Sequence, residues 1–261
     1  MDWLLDPSVS TFGPDIDRIY YFILVITGAV FFGTELLLVY FLFKYRHREG
    51  QRAEYIHGST KAEVIWTSVP FVIVVVLAFM SAPVWNRIKN PDQFPTDSYE
   101  LMLTARQFEW EARYAGADGQ FETPDDFTLL NRINVPVDQP ILIHLTAEDV
   151  IHSFFVYDFR LKQDALPGTV ISIWFEAVQT GEYTLGCAEL CGTGHSSMDG
   201  VVAVQSRAEF DAWEATQIAA RQAVLAGDLA SLDLGVGAGN GAVTAGLAEV
   251  GGSHVHPNGD F

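Results

Sequence analysis

Both cysteines of the chain sit in one short stretch, Gly186-Cys187-Ala188-Glu189-Leu190-Cys191-Gly192-Thr193-Gly194-His195-Ser196-Ser197-Met198. Two thiols separated by three residues, followed by an imidazole and a thioether, make a soft, concentrated donor set that suits copper better than hard cations. His152 opens His152-Ser153-Phe154-Phe155 after a strand-like run, and it adds a second imidazole if its loop folds back beside the cysteines. That set exceeds a mononuclear blue-copper centre, which uses one Cys, two His and a weak axial Met. Two thiolates can instead bridge two copper ions, with one imidazole on each, Met198 weakly on one ion and a backbone carbonyl on the other. An electron shared over two ions rearranges little geometry when it leaves, which suits transfer and not bond making.

Two plainer chemistries compete for the same residues. In an oxidising compartment Cys187 and Cys191 could form a disulfide, but a disulfide has no use for His195 and Met198. Tetrahedral zinc would accept two cysteines and two histidines, yet it gains little from a thioether.

The elements around this stretch divide the chain in two. Ile19 to Tyr45 and Val64 to Trp85 are nearly unbroken apolar runs, each long enough at about 1.5 Å per residue to cross a hydrocarbon core of about 30 Å. A buried helical hairpin of a soluble protein is the alternative for runs of this kind. Between them Lys44, Arg46, Arg48, Arg52 and Lys61 supply a third of the chain's fifteen Lys and Arg. The positive-inside rule makes that loop cytoplasmic, so both termini and everything after the second span lie on the outer, periplasmic side. The first segment, 1–17, lacks the basic n-region and cleavage pattern of a signal peptide, so either the first span is the insertion signal or the chain is already processed. Glu35 lies within the first span, where a carboxylate is costly, and is expected to face a neighbouring subunit.

After a Pro-containing linker, 86–98, short β-type runs follow: Tyr99 to Ala105, Phe108 to Tyr114, Arg132 to Val135, Ile141 to Ala147, Val170 to Phe175, Glu182 to Cys187 and Gly200 to Val204. Their number and spacing predict a Greek-key β-sandwich or barrel of the cupredoxin type over 98–206, able to present the His152 loop and the cysteine loop at one end. The fold class is therefore a membrane-anchored all-β protein, a two-helix transmembrane hairpin over 18–90 leading into the sandwich. His144 falls on the face of its strand opposite Ile141, Ile143 and Leu145 and is assigned a structural place. Trp110 reads as a core aromatic. A helix follows at 207–225, with Phe210, Trp213, Ile218 and Ala219 on one face, and then a Gly- and Ala-rich tail, 226–261, containing His254 and His256.

The blocks Asp149-Val150-Ile151-His152-Ser153-Phe154, Lys162-Gln163-Asp164-Ala165-Leu166-Pro167-Gly168 and Cys187 through Met198 resemble subunit II of haem-copper cytochrome c oxidases, which carries the dinuclear copper centre CuA. The resemblance implies that His152, Cys187, Cys191, His195 and Met198 bind CuA through side chains and Glu189 through its carbonyl oxygen. It further implies that the Glu189 carboxylate reaches a magnesium ion at the boundary with subunit I. Glu63, on its own merits a residue that complements a helix N-terminus, matches a glutamate at the mouth of a proton-uptake pathway. Phe108 stands where the family carries an electron-accepting tryptophan, with Trp110 the nearest indole.

The resemblance also supplies partners. They are subunit I with its haems and CuB, other oxidase subunits, and cytochrome c or another periplasmic donor, in some assemblies within a supercomplex. The place implied is the bacterial plasma (inner) membrane, as a multi-pass subunit. Oxygen reduction coupled to proton pumping is expected in subunit I, since all seven histidines lie outside the two apolar runs. Without a Cys-x-x-Cys-His motif this chain is expected to hold no covalent haem c. The net charge of -18 is compatible with a basic partner, speaks against nucleic acid, and serves solubility equally well. A membrane-anchored copper carrier is the reading from another class. A quinol-oxidase relative would lack the copper ligands, and a nitrous oxide reductase would need many more histidines.

Overall fold

The computed structural model describes residues 4–52 and 54–227. Two long helices come first, α1 (Gly13–Lys44) and α2 (Thr60–Lys89). Their apolar side chains are exposed along most of the length, including Phe32, Leu36, Leu42, Phe71 and Phe79, as expected of helices that hide their backbone polarity internally and offer hydrocarbon to lipid. Trp66 and Trp85 are nineteen residues apart on α2, about 28 Å at the helical rise, which matches the spacing of the two aromatic belts of a bilayer. Both helices run past the apolar cores read from the sequence. α1 begins at Gly13, where Pro14 suits a first helical turn, and α2 begins after Ser59, whose hydroxyl accepts from the Ala62 amide.

The rest is a sandwich of ten strands: β1 (Tyr99–Arg106), β2 (Glu109–Tyr114), β3 (Phe127–Leu130), β4 (Arg132–Pro136), β5 (Pro140–Ala147), β6 (His152–Val156), β7 (Leu161–Ala165), β8 (Ile171–Glu176), β9 (Gly181–Cys187) and β10 (Asp199–Gln205). One sheet has the order β3-β2-β1-β5-β8 and the other β4-β10-β9-β6-β7, with parallel pairing only between β1 and β5 and between β4 and β10. Alternation along the strands fills the space between the sheets. Leu101 and Leu103, Trp110 and Tyr114, and Ile141, Ile143 and Leu145 face Ile133, Phe154, Leu185 and Val202, all with no exposed surface. Tyr114 ties the sheets with a polar contact, its hydroxyl donating to the Asn134 carbonyl and accepting from the Asn134 amide. His144 stands on the outer face, bonded to Glu100 and Ser172.

Three strands escaped the sequence pattern. β6 is short and buried on nearly all sides, so it shows no alternation; the residues read as a His152 loop are in fact a central strand. β7 is polar because it is a sheet edge, and β3 has only four residues. Helix α3 (Arg207–Ala226) starts with a capping box of Ser206 and Glu209. It seats Phe210 and Trp213 on Tyr99, Tyr114 and Phe127. Ile218 joins that face but Ala219 is exposed, because it lies on the opposite side of the helix from Phe210; Arg221 donates to the Pro124 carbonyl. His254, His256 and the tail lie outside the described residues.

The hairpin and the sandwich are sewn together. Residues preceding α1 lie along β8, where Ser10 bridges to Ala177, Thr11 donates to Glu176 and Phe12 packs edge-on against Trp174. The Trp174 indole donates to the Arg87 carbonyl near the end of α2. Arg160, just past β6, holds Asp17 of α1 at 2.7 Å. These contacts require the start of the chain and the sandwich to share one side of any membrane the hairpin crosses.

Candidate metal centre

The sheet register builds the centre. β6 and β9 pair antiparallel with Phe154 opposite Cys187, so His152 at the first residue of β6 and Cys187 at the last residue of β9 reach the same end of the sandwich. The chain then makes an eleven-residue loop, 188–198, and returns in β10 with Asp199 opposite Gly186. That return brings Met198 next to the strand end it left. Within the loop a 3₁₀ turn, His195–Ser197, follows Gly192 and Gly194.

The donor atoms form a continuous cluster. His152 Nδ1 lies 3.9 Å from Cys187 Sγ and 3.2 Å from Met198 Sδ. The two sulfurs of Cys187 and Cys191 are 3.9 Å apart, and Cys191 Sγ is 3.6 Å from His195 Nδ1 and 3.8 Å from Met198 Sδ. The Glu189 carbonyl oxygen stands 3.2 Å from Cys187 Sγ. A disulfide requires sulfurs about 2 Å apart, and both thiols are free. His152 and Met198 are fully buried, Cys191 nearly so, and Cys187 and His195 half-buried. The donors are sulfur and imidazole nitrogen with one carbonyl, which fits copper by softness and number.

The surroundings orient the donors. Asp149 Oδ1 sits 2.9 Å from His152 Nε2, which puts that ring proton toward Asp149 and leaves Nδ1 a lone pair toward the sulfurs. Partial burial opposes the Asp149 charge, but the hydrogen bond from His152 and those from the Gln107 and Val150 amides outweigh it and hold its pKa at about 2. Burial and the neighbouring Cys187 push the Cys191 thiol up to about 11, so a metal that binds there must displace a proton. The Gln107 side-chain amide donates to the Cys191 carbonyl, and the Ala188 amide donates to the Ser153 carbonyl at 2.9 Å.

Phe108 caps the loop. A β-carbon at Gly194 would lie 2.5 Å from the Phe108 ring, which leaves no room for a side chain there, and Gly192 has a φ of 138°, a backbone conformation that favours glycine. Trp110 is fully buried behind the cluster, its ring 6.3 Å from that of His152, and its indole N–H has no hydrogen-bond partner among the described residues. Glu189 is exposed at the tip of the loop. Glu63 is remote from all of these, exposed in the first turn of α2, about 39 Å along that helix from its sandwich end. Asp149 and Gln107 carry positioning contacts that the sequence reading passed over. The Asp-x-x-His spacing was the available signal for the first, whereas the second depends on a contact across 84 residues.

Comparison with known proteins shows the family. Residues 1–84 match the family model described as cytochrome c oxidase subunit II, transmembrane domain, and residues 114–205 match the model of the periplasmic domain of the same subunit. The alternative cytochrome c oxidase subunit 2 of Bradyrhizobium diazoefficiens is 31% identical over 236 residues, covering 81% of this chain and 83% of the relative. Cytochrome c oxidase subunit 2 of Cereibacter sphaeroides is 30% identical over 238 residues, covering 79% and 77%. Among solved structures, the periplasmic domain of subunit II of cytochrome oxidase from Bradyrhizobium japonicum aligns at 29% identity and a TM-score of 0.42, covering 47% of this chain and 95% of that one.

Proposed function

The chain belongs to the cytochrome c oxidase subunit II family, and on that premise we propose that its sandwich houses the CuA centre through which a terminal oxidase takes electrons from cytochrome c or another periplasmic donor for delivery to haem in subunit I. The observation that carries this reading is the unbroken run of close contacts from His152 through Cys187 and Cys191 to His195, flanked by Met198 and the Glu189 carbonyl. When bound, the copper would supply one-electron redox chemistry.

The chain's own residues do the rest. Cys187, Cys191, His152 and His195 would hold the copper, with Met198 and the Glu189 carbonyl as weaker donors. Burial of His152, Met198 and Cys191 keeps water from the donors, and the strands under the site hold them against movement. Phe108, half-buried over the loop, is the surface through which a donor makes electronic contact, with Trp110 behind His152. The exposed Glu189 carboxylate is placed to bind magnesium where subunit I docks, and Glu63 serves proton uptake at the opposite end of α2. Oxygen reduction belongs to subunit I. The copper domain stands on the periplasmic side of a bacterial plasma membrane, a reading supported by the basic loop between the helices and by the docking of residues 9–12 onto the sandwich.

Copper content and electron paramagnetic resonance of the full-length chain, purified in detergent and loaded with copper, test this. A copper pair per chain, with hyperfine structure spread over both nuclei, is the expected result. A single copper with localised splitting, or a silent Cu(I) that a chelator strips at once, would overturn it in favour of a copper carrier.

A further inference from the structure

The pairing of β6 with β9 runs one step past the residues that face each other across the two strands. Phe155 lies opposite Gly186 and Phe154 opposite Cys187. In the same register Ser153 comes opposite Ala188, whose amide donates to the Ser153 carbonyl at 2.9 Å. A further step would set His152 against Glu189, and there the chains part. His152 keeps to β6 and pairs on its other side with Ala165 of β7, whereas the Glu189 carbonyl turns to within 3.2 Å of Cys187 Sγ. Ser153 and Ala188 are thus the last rung before the donor cluster opens, and each is bonded in sequence to a candidate donor.

The end of a ladder frays unless something holds it. His152 and Phe154 both pack on Trp110, so alternation along β6 turns the Ser153 side chain to the other face of the sheet. Ser153 is fully buried all the same, and a buried hydroxyl requires a partner. It donates to Asp164 Oδ1 at 2.7 Å, from the residue directly opposite on β7. A carboxylate acceptor puts this bond in the stronger class. The edge strand that carries Asp164 is itself braced: Lys89 at the end of α2 donates to the Lys162 carbonyl and the Gln163 side-chain oxygen, and Gln163 Nε2 donates to the Asp164 carbonyl. Asp149 and Gln107 act on the His152 ring and on Cys191; the departure of the chain from Cys187 is held from the β7 side.

We propose that Ser153 and Asp164 are positioning residues of the metal centre: their hydroxyl-to-carboxylate bond locks the last rung and so fixes the direction in which the chain leaves Cys187 and presents the Glu189 carbonyl. The inference rests on the reading of Cys187 and Glu189 as copper donors, but its first test needs no metal.

That test is hydrogen exchange of the Ala188 amide in the metal-free full-length chain in detergent. The Val202 amide, in the middle of β10 between β4 and β9, is the reference for global opening. Asp164→Ala, at an exposed position, should speed exchange at Ala188 by about tenfold and leave Val202 unchanged, the effect of losing a hydrogen bond to a charged acceptor. Asp164→Asn keeps an acceptor oxygen and should restore most of the protection. Ser153→Ala should match Asp164→Ala, and the double variant should go no further than either alone, because both remove the same bond. Loaded with copper, Asp164→Ala should release it to a chelator about tenfold faster than the native chain and show an altered hyperfine pattern, whereas Asp164→Asn should resemble the native chain in both. Native protection of Ala188 in Asp164→Ala, a rise shared equally by Val202, additive effects in the double variant, or copper release at the native rate would each overturn the proposal. A native chain that binds no copper would overturn the reading of the centre and with it the positioning role, whereas failure of the exchange test overturns the lock alone.

Discussion

The candidate metal centre has two halves that are held in different ways. His152 and Cys187 belong to strands, fixed by the pairing of β6 with β9 and by the Asp149 contact, in positions the sheet dictates before any metal arrives. Cys191, His195 and Met198 belong to the loop, held by turn hydrogen bonds from His195 to Gly192 and from Ser197 to Gly194, by the Gln107 side chain and by Phe108 lying on the glycines. The difference shows how a rigid site is made from two paired strand ends and one loop. One half is pre-formed by backbone register, and the other is pressed into place by side chains from β1–β2. It follows that damage to the strand half should cost folding as well as metal, whereas damage to the loop half should cost metal alone.

The largest effect should come from removing the thiol on the loop side. Cys191→Ser is expected to abolish the copper pair, leaving at most a single ion with localised hyperfine splitting, while circular dichroism of the sandwich is preserved; retention of the shared-electron spectrum would break the assignment of bridging roles. Next, the two histidines should separate the halves. His152→Ala, which empties a fully buried site, is expected to destabilise the metal-free chain by about 3 kcal/mol. His195→Ala, on the half-buried turn, should cost less than about 0.5 kcal/mol. Denaturant unfolding of the two variants measures this, and equal losses would erase the distinction. Asp149→Ala comes third. By releasing the His152 ring it should lower copper affinity by about 10- to 100-fold, read by competition with a chelator, and by leaving the buried Nε2 unpaired it should lower metal-free stability by about 1 kcal/mol. The smallest effect is expected from Gln107→Ala, which frees the Cys191 carbonyl and should weaken the loop half by about 1 kcal/mol, visible as faster copper loss.

The same division explains what was legible in the sequence. The loop half could be read directly, because Cys187 through Met198 are contiguous and their chemistry is declared by residue type. The hairpin was equally plain, since unbroken apolar runs have few other uses. The strand half was harder. His152 could be nominated as a donor, but the strand that carries it could not be seen, because β6 is buried on both faces and loses the alternation that marks β1, β2 and β5. Gln107 and the seat of residues 9–12 on β8 are contacts between distant parts of the chain, and no local pattern announces them. Ala219 was misplaced for a smaller reason, since at 3.6 residues per turn it falls opposite Phe210 while Ile218 falls on the same side.

The seating of residues 9–12 along β8 also sets an order of events in biosynthesis. The segment that completes the edge of one sheet is made before either apolar helix, and the strand it completes is made more than 150 residues later. A ribosome therefore delivers the two pieces to the same compartment only if the hairpin has turned back through the bilayer in between. A chain inserted with one helix stranded keeps β8 as a bare edge with Trp174 uncovered, open to aggregation and proteolysis. The fold thereby inspects its own insertion: a wrongly threaded molecule fails to close its domain.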